Sequence, residues 1–197
     1  RFPGLVPVGP PGNLKAFKQA IHGHFLNNIQ AMDKKWVKGE GLISYEETAA
    51  IRYFSPDLVS LQVHKIQGGW LRPIHFYHGL NYQLVGGKIR ELKLSDLFDP
   101  KSGWKRELPL LVGKVLPAVL SREKKEGHLI FLESVPKVID DLKLDLLEQF
   151  SVSPAGVEFH LPSIYSSPRN GSHHVTLSFE LLKPYLLKNG ALGRWVD

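Results

Sequence analysis

The stretch "EQFSVSPAGVEFHLPSIYSSPRNGSHHVTLSFELLKPYL", Glu148–Leu186, holds alternating apolar runs, one tight turn and a short helical tail. Period-two alternation is the pattern of a strand with one face buried. Val157, Phe159 and Leu161 fall on one face, Glu158 and His160 on the other. Pro154-Ala155-Gly156 supplies the residues of a hairpin turn ahead of them. "HHVTLSF" then reads as a last strand and "ELLKPYL" as a closing helical turn. Strands joined by hairpins make antiparallel sheet. The predicted class is therefore α+β, not a doubly wound parallel sheet.

The rest of the chain agrees with that class. After the Pro/Gly-rich lead "RFPGLVPVGPPG", Asn13 is the expected N-cap of a long helix. Leu14, Phe17, Ile21, Phe25, Ile29 and Met32 recur along it at three- and four-residue steps, and Gly39 and Gly41 end it. The period then changes to two through Ile43, Tyr45, Ala49, Ile51 and Tyr53, and again through Val59, Leu61 and Val63, with a turn at Ser55-Pro56-Asp57. "QGGW" (67–70) breaks the run, "IHFYHGLNYQL" (74–84) resumes it, and "VGGK" turns it once more. "LSDLF" is a mini-helix with Ser95 as its expected cap. Leu108, Leu111, Val112, Val115, Leu116, Val119 and Leu120 mark a second helix mid-chain, with Pro109 in its first turn and Pro117 expected to kink or split it. A strand at "HLIFLE", helical turns at "SVPKVIDDL" and a tight turn at Asn170-Gly171-Ser172 complete the reading.

Composition bounds the function. The chain has 197 residues, 43% of them apolar, which is enough to bury a sizeable core. It has no cysteine, so disulfides, thiol catalysis and Cys-ligated metals are excluded. No apolar run approaches the roughly 20 residues of a membrane-crossing helix. The chain begins with Arg1, as a processed or trimmed chain would. A net charge of +6 favours acidic partners. The densest basic stretch, Lys101–Lys125, is interleaved with Glu107, Glu123 and the adjoining Glu126, the mixture of a solvated face rather than a nucleic-acid footprint.

No nucleophile elbow, phosphate loop or helical His/Glu zinc motif is present. The nine histidines diverge locally. His22 and His24 lie about 200° apart on a helix, and His173 and His174 point to opposite faces of a strand. His75 and His78 also diverge. Only pairing across strands could assemble a metal site, so solvated or packing roles are expected, with no metal and no cofactor. Glu46-Glu47 and Asp140-Asp141 are expected to be surface charge. The segment "IQGGWLRPIHFYHG" concentrates aromatic rings and Arg after a Gly pair, which makes Trp70, Arg72, His75 and Tyr77 the candidate ligand-binding residues.

Several blocks, in order, resemble the RsiV-like extracytoplasmic domain family. They are "FPGLVPVGPPGNLKAFKQAI", "FSPDLVSLQVHKIQGGW", "LNYQLVGGKIRELKLSDLF", "EQFSVSPAGVEFHL" and "VTLSFELLKPYL", and the resemblance runs from Phe2 to Leu187. One departure is that Trp70 and Leu71 follow the Gly pair, where the family carries a small residue and then His. Family members occur in a lysozyme-sensing anti-sigma factor, beside peptidoglycan deacetylase domains, and in bacterial lipoproteins. The resemblance implies one domain over 1–197, and a division into subdomains 1–66 and 67–197 stays open. It further implies a non-catalytic, extracytoplasmic binding or sensor module of a bacterial cell envelope, whose partner is a wall polymer or an envelope protein. A lysozyme-like partner is disfavoured, because lysozymes are commonly basic and so is this chain. Nucleic acid is not an expected partner, and membrane attachment is expected only through an anchor upstream of Arg1. The alternative from another class is a hydrolase acting on wall carbohydrate with a site assembled from dispersed Asp, Glu and His.

Overall fold

A computed structural model describes residues 11–37, 44–68, 74–126, 142–161 and 173–196. Helix α1 (Pro11–Val37) precedes four strands, β1 (Ser44–Phe54), β2 (Leu58–Gly68), β3 (Ile74–Val85) and β4 (Lys88–Glu91). These form one antiparallel meander in the order β1-β2-β3-β4. Phe17 and Ile21 of α1 are buried against Val59, Leu61, Val63 and Leu80 on one face of that sheet. The apolar period of the helix and the alternation of β2 thus meet in a single small core.

Helix α2 (Trp104–Lys125) follows, then strands β5 (Phe150–Ser153), β6 (Gly156–Leu161) and β7 (His173–Leu177), and the short helix α3 (Phe179–Leu182). β5, β6 and β7 form a second antiparallel sheet in that order. Leu108, Val112, Leu116 and Leu120 of α2 join Val157, Phe159, Val175 and Leu177 in the larger core. The α+β class with mainly antiparallel sheet, a long first helix and a second helix mid-chain is what the sequence predicts.

The two sheets touch through buried polar groups. Ser60 Oγ donates to Asn81 Oδ1 at 2.5 Å and accepts from the Val152 amide at 2.7 Å. Asn81 Nδ2 donates to the Phe150 carbonyl at 2.8 Å. Beside them, a Cβ built on Gly79 would lie 1.3 Å from the Phe150 carbonyl oxygen, so only glycine lets β3 and β5 approach this closely. Gly156, at φ 146°, has the same office on β6, where a Cβ would meet the Leu177 carbonyl at 2.0 Å.

Both ends of the described chain are tied to one turn. Asn13 Nδ2 donates to the Pro56 carbonyl at 2.9 Å, and Arg194 forks onto the Asp57 carboxylate at 2.7 and 2.9 Å. Asn13 therefore does not cap α1, which starts at Pro11; it pins the helix to the β1–β2 turn instead. Ser95 does not cap its 3-10 turn (Leu94–Asp96) either: the Asp96 carboxylate accepts the Lys93 amide at 3.0 Å. Pro109 lies past the first turn of α2, and the helix continues through Pro117. Gly113, four residues before Pro117, is the residue whose carbonyl Pro117 leaves without an amide donor. Ile29 falls outside the α1 core at 51% exposed. The strand expected at "HLIFLE", the helical turns at "SVPKVIDDL" up to Asp141, the turn at 170–172, Asp140-Asp141 and the chain ahead of Pro11 lie outside the described residues, as do Gly39, Gly41 and Ile43.

Candidate functional site

Each strand of the first sheet shows its apolar set to α1 and so shows a different set to the second sheet. On β2 the second set includes Ser60, Gln62 and His64. On β3 it holds His75, Tyr77, Gly79 and Asn81, and the register pairs His64 with Tyr77 and Gln62 with Gly79. Arg52 of β1 reaches the same side. From the second sheet, β6 sends Val157, Phe159 and Leu161 into the larger core, which turns Glu158 and His160 toward this polar face. Opposite them in register stand Thr176 and His174 of β7.

Glu158 is the centre of the arrangement, with its side chain 7% exposed. Arg52 donates to Oε2 at 2.5 Å, and Gln62 donates to Oε1 at 3.1 Å. His174 Nδ1 lies 3.5 Å and His160 Nδ1 3.7 Å from the same Oε1, and the two Nδ1 atoms are 2.8 Å apart. The other ring nitrogen of His160, Nε2, lies 3.1 Å from Ser151 Oγ. Burial, then the electrostatic influence of His174, His78 and Arg52, pushes His160 down to about 3, so its ring is neutral at physiological pH. Burial also lowers His174, with Glu158 opposing.

A series of rings continues from this centre along the sheet. The His174 ring meets Tyr77 edge-on, with centroids 4.9 Å apart. Tyr77 stacks on His64 at 4.3 Å, and His64 stacks on His75 at 5.2 Å. His64 Nε2 and His75 Nδ1 are 3.0 Å apart. Burial, then the neighbouring His75, holds His64 below the usual histidine range. All four of these rings are half-buried.

A separate group lies on the α1 face of the same sheet. Glu47 accepts from the Tyr45 hydroxyl at 2.8 Å and from Asn28 at 3.1 Å, with Lys65 Nζ at 3.4 Å and His24 Nε2 at 3.9 Å. Its side chain is 4% exposed, which corrects the expectation that Glu47 is surface charge; Glu46, its neighbour, is exposed. His78 completes the group, pushed down to about 4 by burial and then by Lys65, with its Nε2 buried and without a hydrogen-bond partner among the described residues.

The structure places the candidate residues in two classes. His75 and Tyr77 belong to the ring series, three and one positions from the buried glutamate's side of the site. Trp70 and Arg72 lie outside the described residues. The local divergence of the histidines holds: His173 turns to Glu123 of α2 at 2.7 Å, while His174 turns to Glu158. Pairing of distant strands then assembles what neighbours in sequence do not. His160 is not a solvated histidine but one of the most buried polar residues, at 1%. Arg52, Gln62, His64, Glu158, His160 and His174 form the site without having been singled out. Their signal was the polar half of each alternation, which looks the same whether it faces water or a second sheet.

No protein-family model matches the sequence, and no curated protein matches it. Among the solved structures with a similar fold are two members of one family. A DUF3298 family protein from Pseudomonas aeruginosa superposes with a TM-score of 0.55 at 12% identity, over 74% of this chain and 63% of its own. A member of the same family from Bacteroides fragilis gives 0.53 at 17% identity, over 94% of this chain and 73% of its own. The chain thus spans less than two thirds of the first of these proteins. At such identities the likeness is one of fold: this chain folds like members of a family named for a domain of unknown function.

Proposed function

We propose that the chain is a non-catalytic binding module of the bacterial cell envelope, related to the RsiV-like extracytoplasmic domains. Its ligand is an anionic wall polymer, or an envelope protein of similar charge, taken on the ring-lined face between the sheets. The observation that carries this reading is the continuous series His75, His64, Tyr77 and His174, four half-buried rings along one face. Rings held in place by mutual stacking are already ordered, so a ligand lying along the series meets them at little entropic cost. The charge of +6 favours an anionic ligand at long range. Glu158 is tied to Arg52 and Gln62, which suits a charge that holds the two sheets in place rather than one that trades protons with a substrate.

Sedimentation with purified cell wall, with and without its anionic polymer, tests the reading. Tyr77→Ala removes the ring that links His174 to His64 and should weaken binding by ~1 kcal/mol, about fivefold in Kd. Arg72→Ala, in the adjoining segment, should weaken binding only when the anionic polymer is present. Unchanged binding in both variants at an unchanged melting temperature would overturn the assignment. Release of soluble sugar fragments from the wall would replace it with a hydrolase.

A further inference from the structure

We infer that Glu158, His160 and His174 form a binding site for a divalent transition metal ion of the zinc class. The three donor atoms, Glu158 Oε1, His160 Nδ1 and His174 Nδ1, are separated by 2.8, 3.5 and 3.7 Å. A tetrahedral zinc ion with bonds near 2.0–2.1 Å holds its ligand atoms about 3.4 Å from one another. To close on an ion the two Nδ1 atoms part by about 0.6 Å, while the distances to Oε1 change by no more than about 0.3 Å.

The surroundings are those of ligands rather than of a chance cluster. His160 and His174 are direct cross-strand partners on β6 and β7, so their spacing is set by the ladder. His160 Nε2 lies 3.1 Å from Ser151 Oγ, so in the tautomer that donates its Nε2 proton to that hydroxyl the ring keeps a lone pair on Nδ1 for a metal ion. Arg52 holds Oε2 of Glu158 and Gln62 approaches Oε1, which fixes the carboxylate and leaves Oε1 turned to both imidazoles. Two imidazole nitrogens 2.8 Å apart beside a carboxylate oxygen share at most one proton in their neutral forms. One cation satisfies all three atoms at once. Two nitrogens and one oxygen are a donor set that suits zinc, copper or nickel better than magnesium or calcium. The His174 side chain is 30% exposed and gives the ion a way in from solvent.

The His24, Glu47 and His78 group also converges, but it makes the poorer site. The Lys65 ammonium stands 3.4 Å from Glu47 Oε1, the same oxygen that faces His24, whereas the cation at Glu158, Arg52, sits on Oε2 and not on the oxygen that faces the imidazoles. A second cation there meets repulsion as well as competition.

The inference does not depend on the wall-ligand reading, and its test uses metal alone. Untagged protein, stripped with chelator, is titrated with zinc chloride by calorimetry and with cobalt(II) by visible absorption. One equivalent should bind, and cobalt should show the intense visible bands of a tetrahedral site. His174→Ala and Glu158→Gln should each lower affinity about tenfold or more, as losses around a metal site do. Their far-ultraviolet circular dichroism should match that of the parent, and His24→Ala should bind as the parent does. Absence of one-equivalent binding, binding that survives both His174→Ala and Glu158→Gln, or binding lost instead with His24→Ala would each overturn the assignment.

Discussion

His78 carries a stability cost that pH exposes. It faces His24 from α1, Glu47 from β1 and Lys65 from β2, with His160 of the second sheet contributing at longer range. Burial, then Lys65, lowers it from 6.5 to about 4. The unfolded chain therefore binds a proton between those values that the folded chain does not. Stability is fully present above the unfolded value of 6.5 and is lost as pH falls toward about 4. Between pH 7 and pH 5 this one residue should cost on the order of 1–2 kcal/mol. Urea titrations at the two pH values should show a smaller loss in His78→Leu than in the parent. An equal loss in both would show that the ring is solvated. At this scale little was legible beforehand. A histidine in a strand reads alike whether its face meets water, a helix or another sheet, and His78, His160 and His174 meet three different surroundings.

Among the elements, periodicity revealed the helices and hairpins, because each carries its own apolar set. Phe17 and Ile21 were legible in α1, and Val157, Phe159 and Leu161 in β6, before any contact was known. Caps were less legible, since Asn13 and Ser95 had the right chemistry but other partners offered better geometry. The meeting of the sheets was not legible at all. It depends on Gly79, whose requirement arises from a carbonyl more than seventy residues away along the chain. Gly79→Ala should therefore destabilise the protein by several kcal/mol, well beyond the roughly 0.5–1 kcal/mol scale of an ordinary glycine–alanine difference in regular structure. The clash is with backbone, which has no rotamer to yield. Gly87→Ala, with open space around its Cβ but φ 76°, is the comparison that isolates backbone strain from collision. A melting temperature for Gly79→Ala no lower than that of Gly87→Ala would remove the close approach from the account.

Over the whole molecule, two apolar cores are joined by polar links. The smaller lies under α1 and the larger beneath α2, and Ser60 and Asn81 stitch their sheets together. We propose that the chain unfolds as one unit because of those links. Asn81→Leu leaves the Ser60 hydroxyl and the Phe150 carbonyl short of partners and should cost about 1–3 kcal/mol for each group stranded. Calorimetry should give one transition for the parent and a broadened or divided one for Asn81→Leu. A single sharp transition at a merely lower temperature would mean that packing alone couples the cores.

The turn at Ser55–Asp57 gathers the first helix through Asn13 and the closing segment through Arg194. A load applied between those two positions would pass through this turn before it reached either β-ladder. Its few hydrogen bonds would rupture one after another, while the ladders behind them remained intact. A tether drawn tight across these positions would thus find a yielding link first, and the ring-lined face would keep its shape while the ends came away.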